Sequence, residues 1–243
     1  MLEIIILVSM ALVLIILLRK FPYKVKKEHL LEIRSPHDVG EEKEETQGPK
    51  EASQDFSEKQ KKIDRLMEKA MKYLKDKNYT KAEEFFIKTI KLDPHNSSAY
   101  NGLGVVYLEQ ENYKDAAESF KAAIKYDPEN ALFYNNLGLA LYNQKLYKRA
   151  INAYKKSVSL DNQEAKRFVN LGLAYKAIDH YGAAAKAFRE AVLLDPENIE
   201  YLTLEASMFL KAHDFKKARR VLNRILKLDP ENEEAKRELL RLR

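Results

Sequence analysis

Five histidines, His29, His37, His95, His180 and His213, are the side chains whose charge can change near neutral pH. A proton shuttle or metal site would set two of them four apart on one helix face, or pair one with a carboxylate cluster. No two are so spaced. The chain has no cysteine, which removes disulfides, thiol nucleophiles and thiolate metal sites. Glycine-rich phosphate loops, nucleophile elbows and zinc-ligand clusters are also missing from its 243 residues. The expectation is a protein that is not an enzyme and carries neither cofactor nor metal.

Charge is the other chemistry on offer. The net charge of +6 is uneven, because residues 1–62 hold 11 basic and 11 acidic side chains. Residues 211–243 hold 11 basic and six acidic, close to the whole excess. Within them Lys216, Arg220, Arg224 and Lys227 fall on one helix face. Such a face is either a solvated exterior or a docking site for an anionic surface: an acidic protein, a lipid headgroup layer or nucleic acid. Nucleic acid fits least, since no aromatic residues interleave the charges for base stacking.

The elements that position these groups follow from a repeat. Asp-Pro recurs at Asp93-Pro94, Asp127-Pro128, Asp195-Pro196 and Asp229-Pro230, and the missing member falls on Asp161-Asn162, so the period is 34 residues. That period marks a solenoid with repeats 63–96, 97–130, 131–164, 165–198 and 199–232 and a final helix over 233–243. Position 8 is always small (Ala70, Gly104, Gly138, Gly172, Ala206), as is position 20 (Ala82, Ala116, Ala150, Ala184, Ala218). Glycine inside a helix costs about 1 kcal/mol relative to alanine, so close packing of two helices must compensate for it. Bulk fills positions 11 and 24, the latter with Phe86, Phe120, Tyr154, Phe188 and Leu222. Position 17 is aromatic throughout, from Tyr79 to Phe215, and proline stops each second helix. Each unit therefore reads as a helix-turn-helix hairpin. His180 takes a turn slot filled elsewhere by Asn78, Asn112 and Asp214, which makes it a surface residue.

This small-aromatic-alanine-aromatic-proline series over residues 63–232 resembles the tetratricopeptide-repeat family. The resemblance implies an all-α, right-handed superhelical solenoid with a concave face lined by each first helix, and a role in binding peptides or helices of partner proteins. The family's groove positions 2, 5, 6, 9, 12 and 13 give Asn101 and Val105 in the second repeat and Asn135, Asn136, Leu139, Tyr142 and Asn143 in the third. In the fourth they give Lys166, Asn170, Leu173 and Lys176. Amides both donate and accept, which suits an extended backbone of any sequence, and Val105, Leu139 and Leu173 form an apolar stripe for its side chains. The family's two-carboxylate clamp is matched only by Asn136 and Lys166, since Asn101, Val105 and Asn170 stand where its other members would be. Position 7 is leucine in the middle repeats but Lys69 in the first and Glu205 in the last, which reads as polar capping of the two ends.

Ile4 to Leu18 is an unbroken run of 15 apolar or small residues, followed by Arg19, Lys20, Lys24, Lys26 and Lys27. It reads as an uncleaved single-pass anchor over residues 1–20, with the short N-terminus outside and the rest cytoplasmic, because basic flanks stay inside. Residues 21–57 mix both charges with Pro36, Gly40, Gly48 and Pro49 and read as a basic juxtamembrane segment and disordered linker. Ser57 and Gln60 match a capping box, which places the start of the folded domain, 58–243, there. Three roles follow: a membrane-anchored adaptor for a protein or peptide, a binder of an anionic surface through the basic end, or a component that assembles with copies of itself.

Overall fold

Two kinds of contact turn the 34-residue period into stacked hairpins. A β-carbon on Gly138 would lie 2.5 Å from the Tyr154 ring, on Gly104 2.6 Å from the Phe120 ring, and on Gly172 2.6 Å from the Phe188 ring. Each position-8 glycine therefore lets the position-24 aromatic of its own hairpin lie directly on the helix backbone. Gly102 does the same across a repeat boundary, where a β-carbon would meet the Phe86 ring at 2.3 Å. Phe86, Phe120, Tyr154 and Phe188 are all buried in consequence and form the spine of the core.

The computed structural model describes residues 49–242, which form eleven α-helices and no strand. They are α1 (Pro49–Lys75), α2 (Tyr79–Leu92), α3 (Ser97–Glu109), α4 (Tyr113–Tyr126), α5 (Ala131–Asn143) and α6 (Tyr147–Leu160). There follow α7 (Ala165–Lys176), α8 (Tyr181–Leu194), α9 (Ile199–Lys211), α10 (Phe215–Leu228) and α11 (Glu233–Arg241). The chain is thus an all-α solenoid of tetratricopeptide-like hairpins over the described residues. No helix among those residues is long and apolar enough to cross a membrane. The expected anchor over 1–20 and residues 21–48 of the expected linker over 21–57 lie outside the described residues, while 49–57 belong to α1.

Both connections in each unit are built by side chains at fixed positions. Within hairpins the turn residue is left-handed five times without a glycine: Lys77, Glu111, Lys145, Asp179 and His213, with φ between 56° and 61°. The amide that follows donates back five residues, as from Asn112 to the Tyr107 carbonyl at 2.8 Å, which satisfies a free helix-end carbonyl. Between hairpins, Asn96, Asn130, Asn198 and Asn232 donate to Asp93, Asp127, Asp195 and Asp229 at 2.9–3.2 Å, while their own amide oxygens cap the next helix.

Three expectations are corrected. Helix α1 does not start at the Ser57 capping box but at Pro49, eight residues earlier. Proline is favoured at a first helical position, no glycine or proline follows it in that stretch, and Gln60 donates to Asp64 rather than closing a capping box. Proline is not what ends each second helix either, because α6 stops at Leu160 with Asn162 in the proline's place. Asp161 ends it, with its amide donating to the Ser157 carbonyl. Lys69 is exposed and lies 5.7 Å from the centre of the Phe85 ring, as a capping residue can, but Glu205 is buried, 5% exposed. Helix α11 packs over the last hairpin and covers it.

Candidate binding groove

The first helices of successive hairpins are joined by amide side chains. Asn136 Nδ2 on α5 donates to Asn101 Oδ1 on α3 at 2.9 Å, and Asn170 Nδ2 on α7 donates to Asn135 Oδ1 on α5, also at 2.9 Å. Position 6 of one repeat thus pairs with position 5 of the repeat before it. The 35-residue spacing, present twice, was the available signal for this pairing. The row stops at both ends for steric and apolar reasons. Gly102 holds position 6 of the second repeat because Phe86 fills that space, and Leu204 and Val169 replace the next pair as partly buried apolar residues.

The predicted site residues fall on three adjacent first helices. Asn101, Val105, Asn135, Asn136, Leu139, Tyr142, Asn170 and Leu173 are half-buried, whereas Asn143, Lys166 and Lys176 are exposed. Val105 and Leu173 rest partly on the core, and Tyr142 meets Tyr147 edge to face at 5.2 Å. Asn143 turns back onto its own helix, donating to the Leu139 carbonyl at 3.0 Å, so it offers less than its neighbours. Each amide pair leaves one free oxygen and further N–H groups. The arrangement is two donor-and-acceptor rungs beside an apolar row, with the cations of Lys166 and Lys176 on α7.

Residues that sequence reasoning missed lie at the same repeat positions further along. Met71, 52% exposed, extends the position-9 row into the first repeat, and Leu132, 45% exposed, adds an apolar side chain at position 2 of the third. At the other end a cavity of about 240 Å³ is lined by Thr203, Ser207, Leu210 and Lys211 from α9 and by Asn232, Glu234 and Glu238 beside α11. Repeat periodicity alone would have found Met71, Leu132 and the α9 residues.

The basic end is less uniform than its sequence. Lys216, Arg220, Arg224 and Lys227 are exposed on α10, but Arg224 donates to the Pro196 carbonyl at 2.6 Å and is partly committed to the neighbouring connector. No cluster of three or more potential ligands among the described residues is placed to hold a metal ion. The strongly shifted phenols, Tyr107 and Tyr154, are pushed up chiefly by burial and so stay protonated.

Two family models described as tetratricopeptide repeat match the chain, one over residues 106–165 and 169–233 and the other over 73–135. No curated protein matches by sequence. Among solved structures, MamA from Desulfovibrio magneticus RS-1 is similar at 21% identity with a TM-score of 0.63, covering 71% of this chain and 97% of that one. YrrB, described as a TPR protein with an unusual peptide-binding site, is 20% identical with a TM-score of 0.62, over 76% of this chain and 96% of its own. The pilF protein of Pseudomonas aeruginosa is 23% identical with a TM-score of 0.61, over 73% and 81%. At these identities the likeness is one of fold.

Proposed function

The chain belongs to the tetratricopeptide-repeat family, and from that premise we propose that it is a membrane-anchored adaptor that holds an extended segment of a partner protein across α3, α5 and α7. The observation that carries the reading is the pair of amide rungs, Asn101 with Asn136 and Asn135 with Asn170, beside the row Val105, Leu139 and Leu173. Half-buried apolar side chains next to unsatisfied amide valences suit a strand-like ligand, whose backbone needs partners and whose alternate side chains need an apolar floor. YrrB, which has this fold, is described as having a peptide-binding site, so the scaffold is compatible with that use. Anchoring rests on the apolar run Ile4 to Leu18, and the cations that follow it favour the cytoplasmic side for the repeats.

The test is site-specific photocrosslinking in cells that express the full chain, with the reactive group at Leu139, at Leu173 or at the outward-facing Asn152. One partner crosslinked from both leucines and not from Asn152, and lost in a Leu139→Glu variant of unchanged melting temperature, is the expected result. Partner crosslinks from Asn152 alone would move the site off the groove. Protease added outside intact cells should leave the repeats uncut, and their digestion would reverse the proposed orientation.

A further inference from the structure

The outward faces of the second helices change character between the second and third repeats. At position 22, α2 carries Glu84 and α4 carries Glu118, and each accepts from a lysine of its own helix, Lys88 at 2.5 Å and Lys121 at 2.7 Å. The same position holds Asn152 in α6, Lys186 in α8 and Arg220 in α10. The neutralising glutamate is gone from all three. These helices carry four, two and six basic residues respectively, and Glu190 is their single acidic residue. All twelve cations are exposed. Among the described residues Lys217 forms a close ion pair with Asp214 on its own turn, Arg189 and Arg224 lie near the buried Glu205, and the other nine have no carboxylate within ion-pair distance.

Basic residues share positions 18, 19 and 26 between α6 and α10, position 22 between α8 and α10, and position 25 between α6 and α8, so the charge is spread over three hairpins and is not a feature of one helix. Apolar side chains stand out of it. Leu193 is 62% exposed at position 29, where α2, α4 and α10 carry Lys91, Lys125 and Lys227. Phe215 and Leu228, also exposed, mark the two ends of α10.

We propose that this outward face of the third to fifth repeats docks on an anionic phospholipid surface. Unpaired lysines and arginines are drawn to such a surface and lose that attraction in salt. Leu193, Phe215 and Leu228 then decide between anions, because an aliphatic or phenyl group gains by entering the boundary between headgroups and acyl chains and gains nothing from a polyphosphate backbone. The membrane anchor of the proposed function, on which this step rests, would hold the chain beside a bilayer. The face is separate from the groove, since the amide rungs are on α3, α5 and α7 while the cations are on α6, α8 and α10. Docking would set the groove's direction relative to the membrane and leave it open to a partner.

The absence of cysteine allows a single label. Full-length Asn223→Cys carrying a fluorophore is mixed with phosphatidylcholine vesicles, or with vesicles of equal parts phosphatidylcholine and phosphatidylglycerol, each containing a nitroxide-headgroup lipid. The label should be quenched several-fold more on the anionic vesicles and released by high salt. In the same chain bearing Lys155→Glu, Lys186→Glu and Arg220→Glu the apparent affinity of this contact should fall by roughly fivefold or more for each charge reversed. Circular dichroism and the melting temperature establish that the variant is folded, and glutamine at the three positions serves if glutamate unfolds it. Equal quenching on both kinds of vesicle, or quenching unchanged in the folded variant, overturns the proposal. So does capture by duplex nucleic acid without quenching on anionic vesicles. A Leu139→Glu chain that loses its partner but keeps the lipid-dependent quenching separates this result from failure of the groove.

Discussion

Arg167 Nη1 donates to Asp161 Oδ2 at 2.5 Å, and its Nη2 stands 3.0 Å from Glu164 Oε2. This occurs at the one connector that lacks both the proline and the asparagine of the others, having Asn162 and Glu164 in their places. The buried guanidinium thus holds in one grip what asparagine holds elsewhere. Arg167→Ala should cost about 2 kcal/mol, the scale of a hydrogen bond between charged groups, in chemical denaturation. Adding Asn162→Pro and Glu164→Asn should return most of that loss. No recovery would mean that the ion pair does not substitute for the missing connector residues. The Asp161 carboxyl is held below its ordinary range, first by the Gln163 amide and then by Arg167. Its stabilisation is therefore present above that ordinary range and lost as pH falls through the lowered value.

Two glycines test the close packing in opposite directions. Gly138→Ala would push a β-carbon into the buried Tyr154 ring, which has no room to swing, and should destabilise by about 1–3 kcal/mol. Gly182, the second residue of α8, has nothing within 4 Å of the same added carbon, so Gly182→Ala should stabilise by roughly 0.5 kcal/mol, chiefly by restricting the unfolded chain. Thermal melts of the two variants should move apart, and a shift of the same sign in both would refute the packing account.

The hairpin turns hold strain that substitution can release. Lys145 has φ 61°, a left-handed conformation that costs a residue with a β-carbon about 1–2 kcal/mol. Lys145→Gly removes that cost and gives back roughly 0.5–1 kcal/mol through the freer unfolded chain, so the melting temperature should rise slightly. Lys145→Val should lower it, since a β-branched side chain tolerates the conformation least.

What the sequence made legible was whatever repeats with the period: the hairpins, the glycine contacts and the aromatic spine. Compensation between neighbours was harder to read. Arg167 is intelligible only once Asp161 and Glu164 are known to lie against it, and the amide rungs link positions offset by one from the period. The start of α1 at Pro49 is not marked by the local capping pattern at Ser57, because nothing between them breaks a helix. The count along the C-terminal end shows Lys216, Arg220, Arg224 and Lys227 of α10, whereas the exposed cations of α6 and α8 on the same side of the hairpins are visible only once the helices are stacked.

Glu205, buried where a solvent-facing cap is expected, gives the sharpest pH test. It occupies position 7 of the last repeat, where Leu103, Leu137 and Leu171 stand in the middle ones, and it is buried, with Arg189 of α8 and Arg224 of α10 near it, rather than capping an open end. Burial pushes its carboxyl up, against the opposing pull of Arg189 and Arg224. One of those cations, Arg224, already donates to the Pro196 carbonyl, which limits what it can offer the carboxylate. With the folded value above the unfolded one, the folded chain binds more protons between the two. Stability therefore falls as pH rises from the ordinary glutamate value through the raised one, and stays lower beyond it. Glu205→Gln should flatten that slope in denaturation midpoints taken across mildly acidic pH. Glu205→Leu, which restores the side chain of the middle repeats, should do the same and add about 1–2 kcal/mol at neutral pH, because a well-packed leucine replaces a charge that burial disfavours. A Glu205→Leu chain less stable than the parent at neutral pH would show that Arg189 and Arg224 more than compensate for the buried charge, and would make Glu205 part of an ion-pair network holding the last two hairpins together.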